Sequence, residues 1–264
     1  MKITKYKIFT RKKGIDLKIA VVSDLHARPY GKVLDALKII SPDIIVLPGD
    51  IVEIAADYMD SRNQNGLRFL EEAVKIAPSY YCYGNHEIFF SHAKQGYTKT
   101  PEKAFADSYL ERIKACGVNL INDSYLEIID PSKDDGADKI YVGGLVCGRD
   151  MDPDLNMPHP NMEFLSQYDS VKGFKILLCH YPHYYEKYLR SYGFDLILSG
   201  HAHGGQWRFF GRGVYAPHQG ILPKFTSGIH DNRHVISRGA ANNVKPIPRF
   251  FNRCEVLKIE VLSE

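Results

Sequence analysis

Short apolar runs recur along the chain, and each one ends in a polar or glycine-containing cluster. They cover residues 18–22, 43–47, 79–83, 139–142, 175–179 and 195–198. Runs this short are strands more often than helices. Between the first three runs, segments 33–40 and 66–76 carry apolar residues at steps of three and four, which predicts amphipathic helices. This βαβα alternation predicts parallel strands covered by helices.

After the third strand the pattern becomes less regular. A polar segment at 101–116 predicts a helix, and shorter strand candidates around Leu120 and Leu126 fit antiparallel pairing better than parallel pairing. The charged segment 131–138 predicts a mobile surface loop. The segment 149–159, which is rich in Pro, Asp and Asn, predicts another surface connection.

Glycine, proline and aromatic residues are frequent between residues 207 and 252, and strand-like pieces lie at 233–237 and 255–261. They predict hairpins and loops that close a second sheet. Two packed sheets flanked by helices form a layered α/β sandwich, which is the fold class that the whole pattern predicts. The 264 residues contain no internal repeat or sharp linker, so we expect a single domain over 1–264.

Composition limits the class of protein more than its chemistry. With 44% hydrophobic and 25% charged residues the chain resembles ordinary globular proteins, and its net charge of +3 is too small to indicate nucleic-acid binding. The five cysteines have no paired spacing, which favours reduced thiols over a disulfide framework. The sequence has neither an export signal nor a long apolar run, so we expect a cytoplasmic protein.

Positive charge is concentrated near the N-terminus. The basic residues there are Lys2, Lys5, Lys7, Arg11, Lys12, Lys13 and Lys18. Such a group fits a solvated face beside a strand, and it also permits weak peripheral contact with the inner face of a membrane. Partners cannot be predicted from charge alone, and we infer no obligate protein partner from the sequence.

Candidate metal ligands follow five of the predicted strands, each at the strand's carboxyl end. In chain order they are Asp24, His26, Asp50, Asn85, His180, His201 and His203. In open α/β sheets, ligands bind in the crevice outside the carboxyl ends of the strands. We therefore expect the five strands to bring these polar groups to one place.

The spacing within the pairs indicates how ions are shared. Period-two spacing in an extended segment would turn Asp24 and His26 to one side while Leu25 points into the core. The same spacing separates His201 and His203, although the loop there could direct the two imidazoles to different ions. Between two ions, the natural bridge is the carboxylate that follows Leu-Pro-Gly at 47–49.

The candidate ligands are two carboxylates, four imidazoles and one amide oxygen, without thiolate. A mixed nitrogen and oxygen set suits Mn, Fe, Zn, Co or Ni better than calcium or a structural zinc site. Such a set is too large for one tetrahedral ion, but it suffices for two ions about 3.5–4 Å apart that share a carboxylate. We therefore expect two divalent transition-metal ions.

Five ordered blocks of sequence resemble the motifs of calcineurin-like metallophosphoesterases. They are Ser-Asp-Leu-His at 23–26, Gly-Asp at 49–50, Gly-Asn-His-Glu at 84–87, His180, and Gly-His-Ala-His at 200–203. The resemblance spans residues 18–206 and implies a four-layer αββα sandwich of two mixed sheets. It also implies a ligand assignment: Asp24, His26 and His203 for the first metal, Asn85, His180 and His201 for the second, and Asp50 as the bridge.

A narrower resemblance follows these blocks. It lies in Gly-Gly-Gln-Trp-Arg at 204–208, Tyr-Ala-Pro at 215–217, Gln-Gly at 219–220 and Lys-Phe at 224–225. These pieces are similar to a bacterial subgroup of membrane-associated phosphodiesterases, some of which cleave UDP-diacylglucosamine. The resemblance implies hydrolysis of a phosphate ester on a small molecule or a lipid headgroup.

The family resemblance also implies a mechanism. Two divalent ions would bind phosphate oxygens and lower the pKa of a bridging water, which would supply a metal-bridging hydroxide as the nucleophile at neutral pH. His86 resembles the family histidine that contacts phosphate and protonates the leaving oxygen. Either Asp50 or Glu87 could orient it, and the sequence does not choose between them.

Several further side chains and functions stay open at this point. Arg208, Arg238 and Asn242 could contact substrate phosphate, although loop arginines are commonly only solvated. The tyrosines of segment 181–188 fit either a helix face or a hydrophobic rim beside the site. The alternatives to a phosphodiesterase are a metal-binding scaffold for protein contacts and a nuclease, which would need a basic, aromatic-lined groove.

Overall fold

The computed structural model describes residues 1–53, 61–91, 111–128, 136–152, 157–242 and 247–264. Over these ranges the chain forms two six-stranded sheets and three small two-stranded sheets. In chain order the strands are β1 (Lys2–Thr10), β2 (Asp16–Val21), β3 (Ile44–Pro48), β4 (Ser79–Cys82), β5 (Asn119–Leu120), β6 (Ser124–Ile128), β7 (Ile140–Leu145), β8 (Cys147–Asp152), β9 (Met157–Pro160), β10 (Phe174–Cys179), β11 (Leu196–Ser199), β12 (Arg208–Phe209), β13 (Arg212–Gly213), β14 (Tyr215–Ala216), β15 (Gly220–Ile221), β16 (Gly228–His230), β17 (His234–Ile236) and β18 (Glu255–Ser263). The α-helices are α1 (Gly31–Ile40), α2 (Ser61–Ala73), α3 (Asn85–Ser91) and α4 (Met162–Asp169), and residues 111–115 are also helical.

The first sheet has the order β1-β18-β2-β3-β4-β5. Its strands β2 to β5 are parallel neighbours, which confirms the predicted βαβα unit. The expectation for the last strand was wrong, because β18 joins this sheet, antiparallel to β2 and parallel to β1. Leu257, Ile259 and Val261 of this strand pack between the two sheets, and Val256 packs on the opposite face.

The second sheet has the order β16-β17-β11-β10-β7-β6. Antiparallel pairing was expected around Leu120 and Leu126, and it is confirmed for Leu126, because β6 pairs antiparallel with β7. It was wrong for Leu120, because β5 pairs parallel with β4. The helical residues 111–115 come between β4 and β5, and a crossover through a helix returns the chain parallel.

Alternate residues of the central strands face different cores. Ile19 and Val21 of β2 pack between the two sheets, whereas Ala20 packs with the buried face of α1 and α2. In β10, Ile176 packs between the sheets and Leu177 packs with α4 on the opposite side. Period-two alternation with both faces buried produces a four-layer αββα sandwich, which confirms the predicted fold class.

Some connections differ from the sequence prediction. Segment 149–159 contains most of an antiparallel hairpin, because β8 pairs with β9. The strand β1 and the helix α4 had no counterpart in the predicted elements. Most of the loop predicted to be mobile, 131–138, lies outside the described residues. None of the described helices is long and apolar enough to cross a membrane.

Candidate metal centre

Polar side chains from five strand ends meet at one edge of the sandwich, as the sequence predicted. Two groups of buried residues there could each hold a metal ion. The first group is Asp24, His26 and His203, and the second group is Asp50, His180 and His201. A third group of residues that could hold a metal is His26, Glu53 and His86, which the sequence did not single out as a set.

In the first group the imidazoles are almost in contact. His26 Nε2 lies 3.3 Å from His203 Nε2. His203 Nε2 also lies 3.7 Å from Asp24 Oδ1. The side chain of Asp24 is fully buried, and its Oδ2 has no hydrogen-bond partner among the described residues. A buried carboxylate oxygen without a partner is costly unless a cation or a donor compensates it, so this group fits a metal ion.

In the second group His180 is oriented by the backbone. Its Nδ1 lies 2.8 Å from the carbonyl oxygen of Pro48. Because a carbonyl only accepts, Nδ1 carries the hydrogen and Nε2 presents its lone pair to the site. His180 Nε2 lies 3.1 Å from Asp50 Oδ2 and 3.2 Å from His201 Nδ1. Three donor atoms therefore converge on one point.

Asp50 lies between the two groups. Its Oδ2 is 3.9 Å from His26 Nε2, in addition to the close approach to His180. One carboxylate oxygen thus faces an imidazole of each group, which is the placement expected of a bridging ligand.

Asn85 is the first residue of α3, and it lines a small pocket together with His180. Its Oδ1 is buried and finds no hydrogen-bond partner in the part of the chain that the structure describes. Within that part, an oxygen of Asp24 and an oxygen of Asn85 are therefore both acceptors without a partner among the candidate ligands. The donor set of imidazole, carboxylate and amide groups fits divalent transition metals.

The backbone at the site differs from the extended segment that the sequence suggested. Asp24 and His26 have φ of 54° and 50°, and Asp50 has φ of 56°. Positive φ is uncommon for residues other than glycine, and strained conformations of this kind concentrate at functional sites. The two side chains still point to one place and Leu25 is fully buried, but a left-handed turn directs them rather than period-two alternation.

Two glycines allow the loops to approach one another. A Cβ on Gly84 would lie 2.2 Å from Asp50 Oδ1, and a Cβ on Gly200 would lie 2.5 Å from Asp24 Oδ2. Any larger residue would occupy space that the carboxylates fill. These two positions are therefore restricted to glycine by close packing.

Glu87 joins the loop that carries Asp50 to the loop that carries Gly84. Its carboxylate, which is fully buried, accepts backbone N–H groups and a tyrosine hydroxyl. The donors are the N–H groups of Asp50 at 2.9 Å, Ile51 at 2.7 Å, Val52 at 3.1 Å and Gly84 at 2.8 Å, and the hydroxyl of Tyr81 at 2.6 Å. With its oxygens committed in this way, Glu87 stabilises the loops.

Glu53, which the sequence reasoning missed, contacts His86. Glu53 Oε1 lies 3.0 Å from His86 Nδ1, and Glu53 Oε2 lies 3.5 Å from His26 Nδ1. His86 Nε2 then faces the metal groups, 3.8 Å from Asp50 Oδ2. The available signal was an acidic residue three positions after Asp50, on the same loop.

Burial and neighbouring charges shift the pKa values of the site residues in opposite directions. Burial alone would lower the pKa of His86, but the negative charges of Asp50 and Glu53 outweigh it and raise that pKa to about 9. Burial would raise the pKa of Glu53, and its contacts with His26 and His86 lower it well below the ordinary value. Burial lowers the pKa of His203 to about 3 despite the nearby Asp24.

The three candidates for contact with substrate phosphate have different surroundings. Arg208 donates to the carbonyl oxygens of Gly204 and Gly211, and Arg238 pairs with Glu255. Asn242 lines an open cleft beside the centre.

A different arginine, Arg249, lies against a candidate ligand. Its Nη2 is 3.0 Å from His203 Nδ1. The same nitrogen donates to the carbonyl oxygen of Ala241 at 2.5 Å.

The tyrosines of segment 181–188 are core residues. Tyr181, Tyr184, Tyr185 and Tyr188 are all buried with α4 and β10. The ring of Tyr181 packs edge-on against His201, with 4.6 Å between centroids. The packing interpretation is therefore confirmed, although Tyr181 also supports a candidate ligand.

Comparisons with known proteins agree with this geometry. Residues 17–205, which include all seven predicted ligands, match the model of the family described as calcineurin-like phosphoesterase. The uncharacterized metallophosphoesterase YkuE of Bacillus subtilis is 28% identical over 255 residues, which cover 92% of this chain and 78% of that protein. The phosphodiesterase YaeI of Escherichia coli is 25% identical over 209 residues, which cover 76% of this chain and 65% of that protein.

The similarity to solved structures is weaker than the similarity to these two sequences. A dimetal phosphatase from Danio rerio is 12% identical and superposes with a TM-score of 0.44, covering 84% of this chain and 87% of that chain. That score is too low to support a statement about function. The match of the family model extends over most of the chain and contains every block of candidate ligands. The chain therefore belongs to the calcineurin-like phosphoesterase family and is a metal-binding hydrolase of phosphoric esters.

Proposed function

We propose that the chain is a phosphodiesterase that holds two divalent transition-metal ions in a single domain, 1–264. The observation that carries the proposal is the position of Asp50 Oδ2, which lies 3.1 Å from His180 Nε2 in one donor group and 3.9 Å from His26 Nε2 in the other. Asp24, His26 and His203 would hold one ion, and Asn85, His180 and His201 would hold the other. Manganese, iron, zinc, cobalt and nickel all suit this donor set.

Two such ions, when bound, supply Lewis acidity and a nucleophile from water at neutral pH. The chain's own residues supply the rest. His86 Nε2 faces the site from the side opposite its contact with Glu53, so it can donate a proton to the oxygen that leaves phosphorus. Glu53 is the positioning residue, because its contact with Nδ1 fixes the orientation of the ring.

The surroundings of His203 favour a diester over a monoester. A pocket of about 210 Å³ adjoins this residue, and most of its lining side chains are apolar or aromatic, including Trp207, Val214, Tyr215 and Ile247. A phosphodiester carries a second ester substituent that such a pocket could hold, whereas a monoester presents only charged oxygen on that side. We therefore propose a small molecule or a lipid headgroup with an apolar substituent as the substrate.

The test is hydrolysis of bis-p-nitrophenyl phosphate, p-nitrophenyl phosphate and single-stranded DNA with Mn, Fe, Co, Ni or Zn. We expect turnover of the diester in excess of the monoester, and no cleavage of DNA. Asp50→Asn should lose activity together with bound metal, whereas His86→Gln should keep the metal and lose about 10²–10⁴-fold in kcat. His230→Gln, a partly exposed histidine away from the donor groups, is the matched control. Absence of turnover with every metal would refute the proposal, and cleavage of DNA would favour a nuclease.

A second proposal is peripheral contact with a membrane. The observation that favours it is an exposed apolar group on the loops after residue 207, in which Phe210 and Phe251 are 105% and 81% exposed. The exposed Lys5 and Lys7 of β1 could add attraction to anionic lipid. Sedimentation with neutral and anionic liposomes separates the two contributions. Phe210→Ser should reduce recovery on both lipids, and Lys5→Gln with Lys7→Gln only on anionic lipid. Equal recovery of all variants without lipid and with lipid would refute the contact.

A further inference from the structure

A large basic cleft opens beside the metal centre. Its volume is about 810 Å³, and its walls include Lys2, Arg28, Lys32 and Arg253, together with Asn242. None of the lining residues in the described part of the chain is acidic. Four cationic side chains from three separate segments around one cavity concentrate positive potential there, which attracts anions.

The cleft is joined to the candidate ligands by backbone hydrogen bonds. Ala240 and Ala241 form part of its wall, and the N–H of Ala241 donates to the carbonyl oxygen of Asp24 at 3.1 Å. The N–H of Ala240 donates to the carbonyl oxygen of Ser23 at 2.8 Å. A group bound in the cleft would therefore lie next to the loop that carries Asp24 and His26.

The beginning of α1 adds to the positive potential. The helix starts at Gly31, its N-cap Tyr30 makes no side-chain hydrogen bond to the first turn, and the first turn has no acidic residue. The N-terminus of a helix has unpaired N–H groups and a partial positive charge, which usually favour an acidic side chain. Here the first turn carries Lys32 instead. A bound anion would therefore compensate both the partial positive charge of the helix N-terminus and the charge of Lys32.

Three of the four cations of this cleft are exposed to a ligand. Lys2, Lys32 and Arg253 are exposed, and no ion pair among the described residues involves any of the three. The backbone places Lys2 and Arg253 near each other, because the N–H of Lys2 donates to the carbonyl oxygen of Cys254 at 3.1 Å. Lysine and arginine at such spacing suit phosphate oxygens.

We propose that this cleft binds a second phosphate group of the substrate, remote from the ester that is cleaved. The proposal rests on the proposed phosphodiesterase function and narrows its substrate class. Asn242 lines the cleft and donates from Nδ2 to the carbonyl oxygen of Ile247 at 3.2 Å, and Ile247 lines the apolar pocket. The cleft and the pocket therefore adjoin, and together they fit an asymmetric diester with a phosphate at one end and an apolar group at the other.

The test uses two substrates that differ by one phosphate: thymidine 5′-(p-nitrophenyl phosphate) and the same diester with a phosphate on the 3′ oxygen. We expect the metal-loaded wild type to favour the phosphorylated diester about tenfold in kcat/KM, the order that two or three exposed cations can supply. In Lys32→Gln with Arg253→Gln this ratio should fall towards one. A folding defect would lower both rates together, so the ratio isolates recognition of the second phosphate.

A matched control removes the same charge elsewhere. Lys38→Gln with Lys172→Gln changes two exposed lysines outside the cleft and should keep the wild-type ratio. Equal kcat/KM for both diesters in the wild type, or an unchanged ratio in Lys32→Gln with Arg253→Gln, would overturn the proposal. High salt should reduce the preference, because exposed charges are screened.

A second measurement does not depend on activity. Binding of inorganic pyrophosphate to the metal-free protein, measured by calorimetry, should weaken about tenfold in Lys32→Gln with Arg253→Gln and stay unchanged in the control pair. If neither diester were hydrolysed, the phosphodiesterase function would fail, and cleft-dependent pyrophosphate binding would still support the anion site. Pyrophosphate binding that does not depend on Lys32 and Arg253 would overturn it.

Discussion

Replacing Glu87 by glutamine tests how the ligand loops are held in place. Each carboxylate oxygen of Glu87 accepts two backbone N–H groups, and one of the two also accepts the hydroxyl of Tyr81. The amide of glutamine has one oxygen and one NH2 group. Whichever way it turns, the NH2 group faces two backbone N–H donors that then have no acceptor.

The expected cost follows from these contacts. A buried donor without a partner costs about 1–3 kcal/mol, and hydrogen bonds to a charged acceptor are stronger than those to a neutral one. Two stranded N–H groups, with weaker bonds at the remaining oxygen, should lower the free energy of unfolding by about 3–5 kcal/mol. The loss should fall on the loops of Asp50 and Gly84, so metal content should fall as well.

Urea titration followed by circular dichroism measures this change. Tyr81→Phe is the matched control, because it removes one hydrogen bond to Glu87 and keeps the four backbone N–H bonds. We expect it to cost about 1.5–3 kcal/mol, the contribution of one hydrogen bond to a charged acceptor. If Glu87→Gln were destabilised by no more than Tyr81→Phe, the carboxylate would not be what holds the loops. The dependence on urea concentration should stay the same in both variants, since the fold is unchanged.

Two substitutions and the removal of metal give three further predictions. Gly84→Ala should abolish hydrolysis, because its Cβ would lie 2.2 Å from Asp50 Oδ1. Gly31→Ala, whose Cβ would have open space around it, should keep full activity. Equal kcat in the two variants would contradict the claim that close packing restricts residue 84 to glycine. Burial lowers the pKa of His234 to about 3, so between pH 6.5 and 3 only the unfolded state protonates this ring. The free energy of unfolding therefore falls below pH 6.5, by about 1.4 kcal/mol per pH unit. In urea titrations, His234→Phe should lose about 2 kcal/mol less than the wild type between pH 7 and pH 5. Removing metal with a chelator should lower the Tm by roughly 10 °C in a thermal scan, and added Mn should restore it. A metal ion present at a concentration of about 1,000 times its Kd stabilises the fold by about 4 kcal/mol. An unchanged Tm would count against buried ions.

The place of the candidate site could be predicted from the sequence because strand ends are a local signal. Apolar runs located the strands, and in parallel strands the residues that follow the carboxyl ends meet at one edge of the sheet. This is why Asp24, Asp50 and His180 could be brought together before the structure was known. The same reasoning failed for β18, because its alternating apolar residues specify a buried face and do not specify a neighbouring strand.

The finer geometry depends on contacts between residues far apart in sequence. The left-handed backbone at Asp24 and Asp50 is imposed by the paired loops, since the N–H of Asp24 donates to the carbonyl oxygen of Gly49 and the N–H of His26 donates to that of Asp50. Aspartate adopts positive φ more often than most residues, but this stays a minority conformation, so the residue type alone does not predict it. The contact of Glu53 with His86 joins two loops and leaves no periodic signal, so it could not be distinguished from an ordinary exposed glutamate.

The central claim is that two metal ions share Asp50. Anomalous diffraction from crystals of the wild type grown with Mn²⁺ tests it directly. We predict two anomalous peaks about 3.5–4 Å apart, one beside His203 and one beside His180, with Asp50 Oδ2 in contact with both. A single peak, or a peak among His26, Glu53 and His86 in place of either one, would contradict the claim.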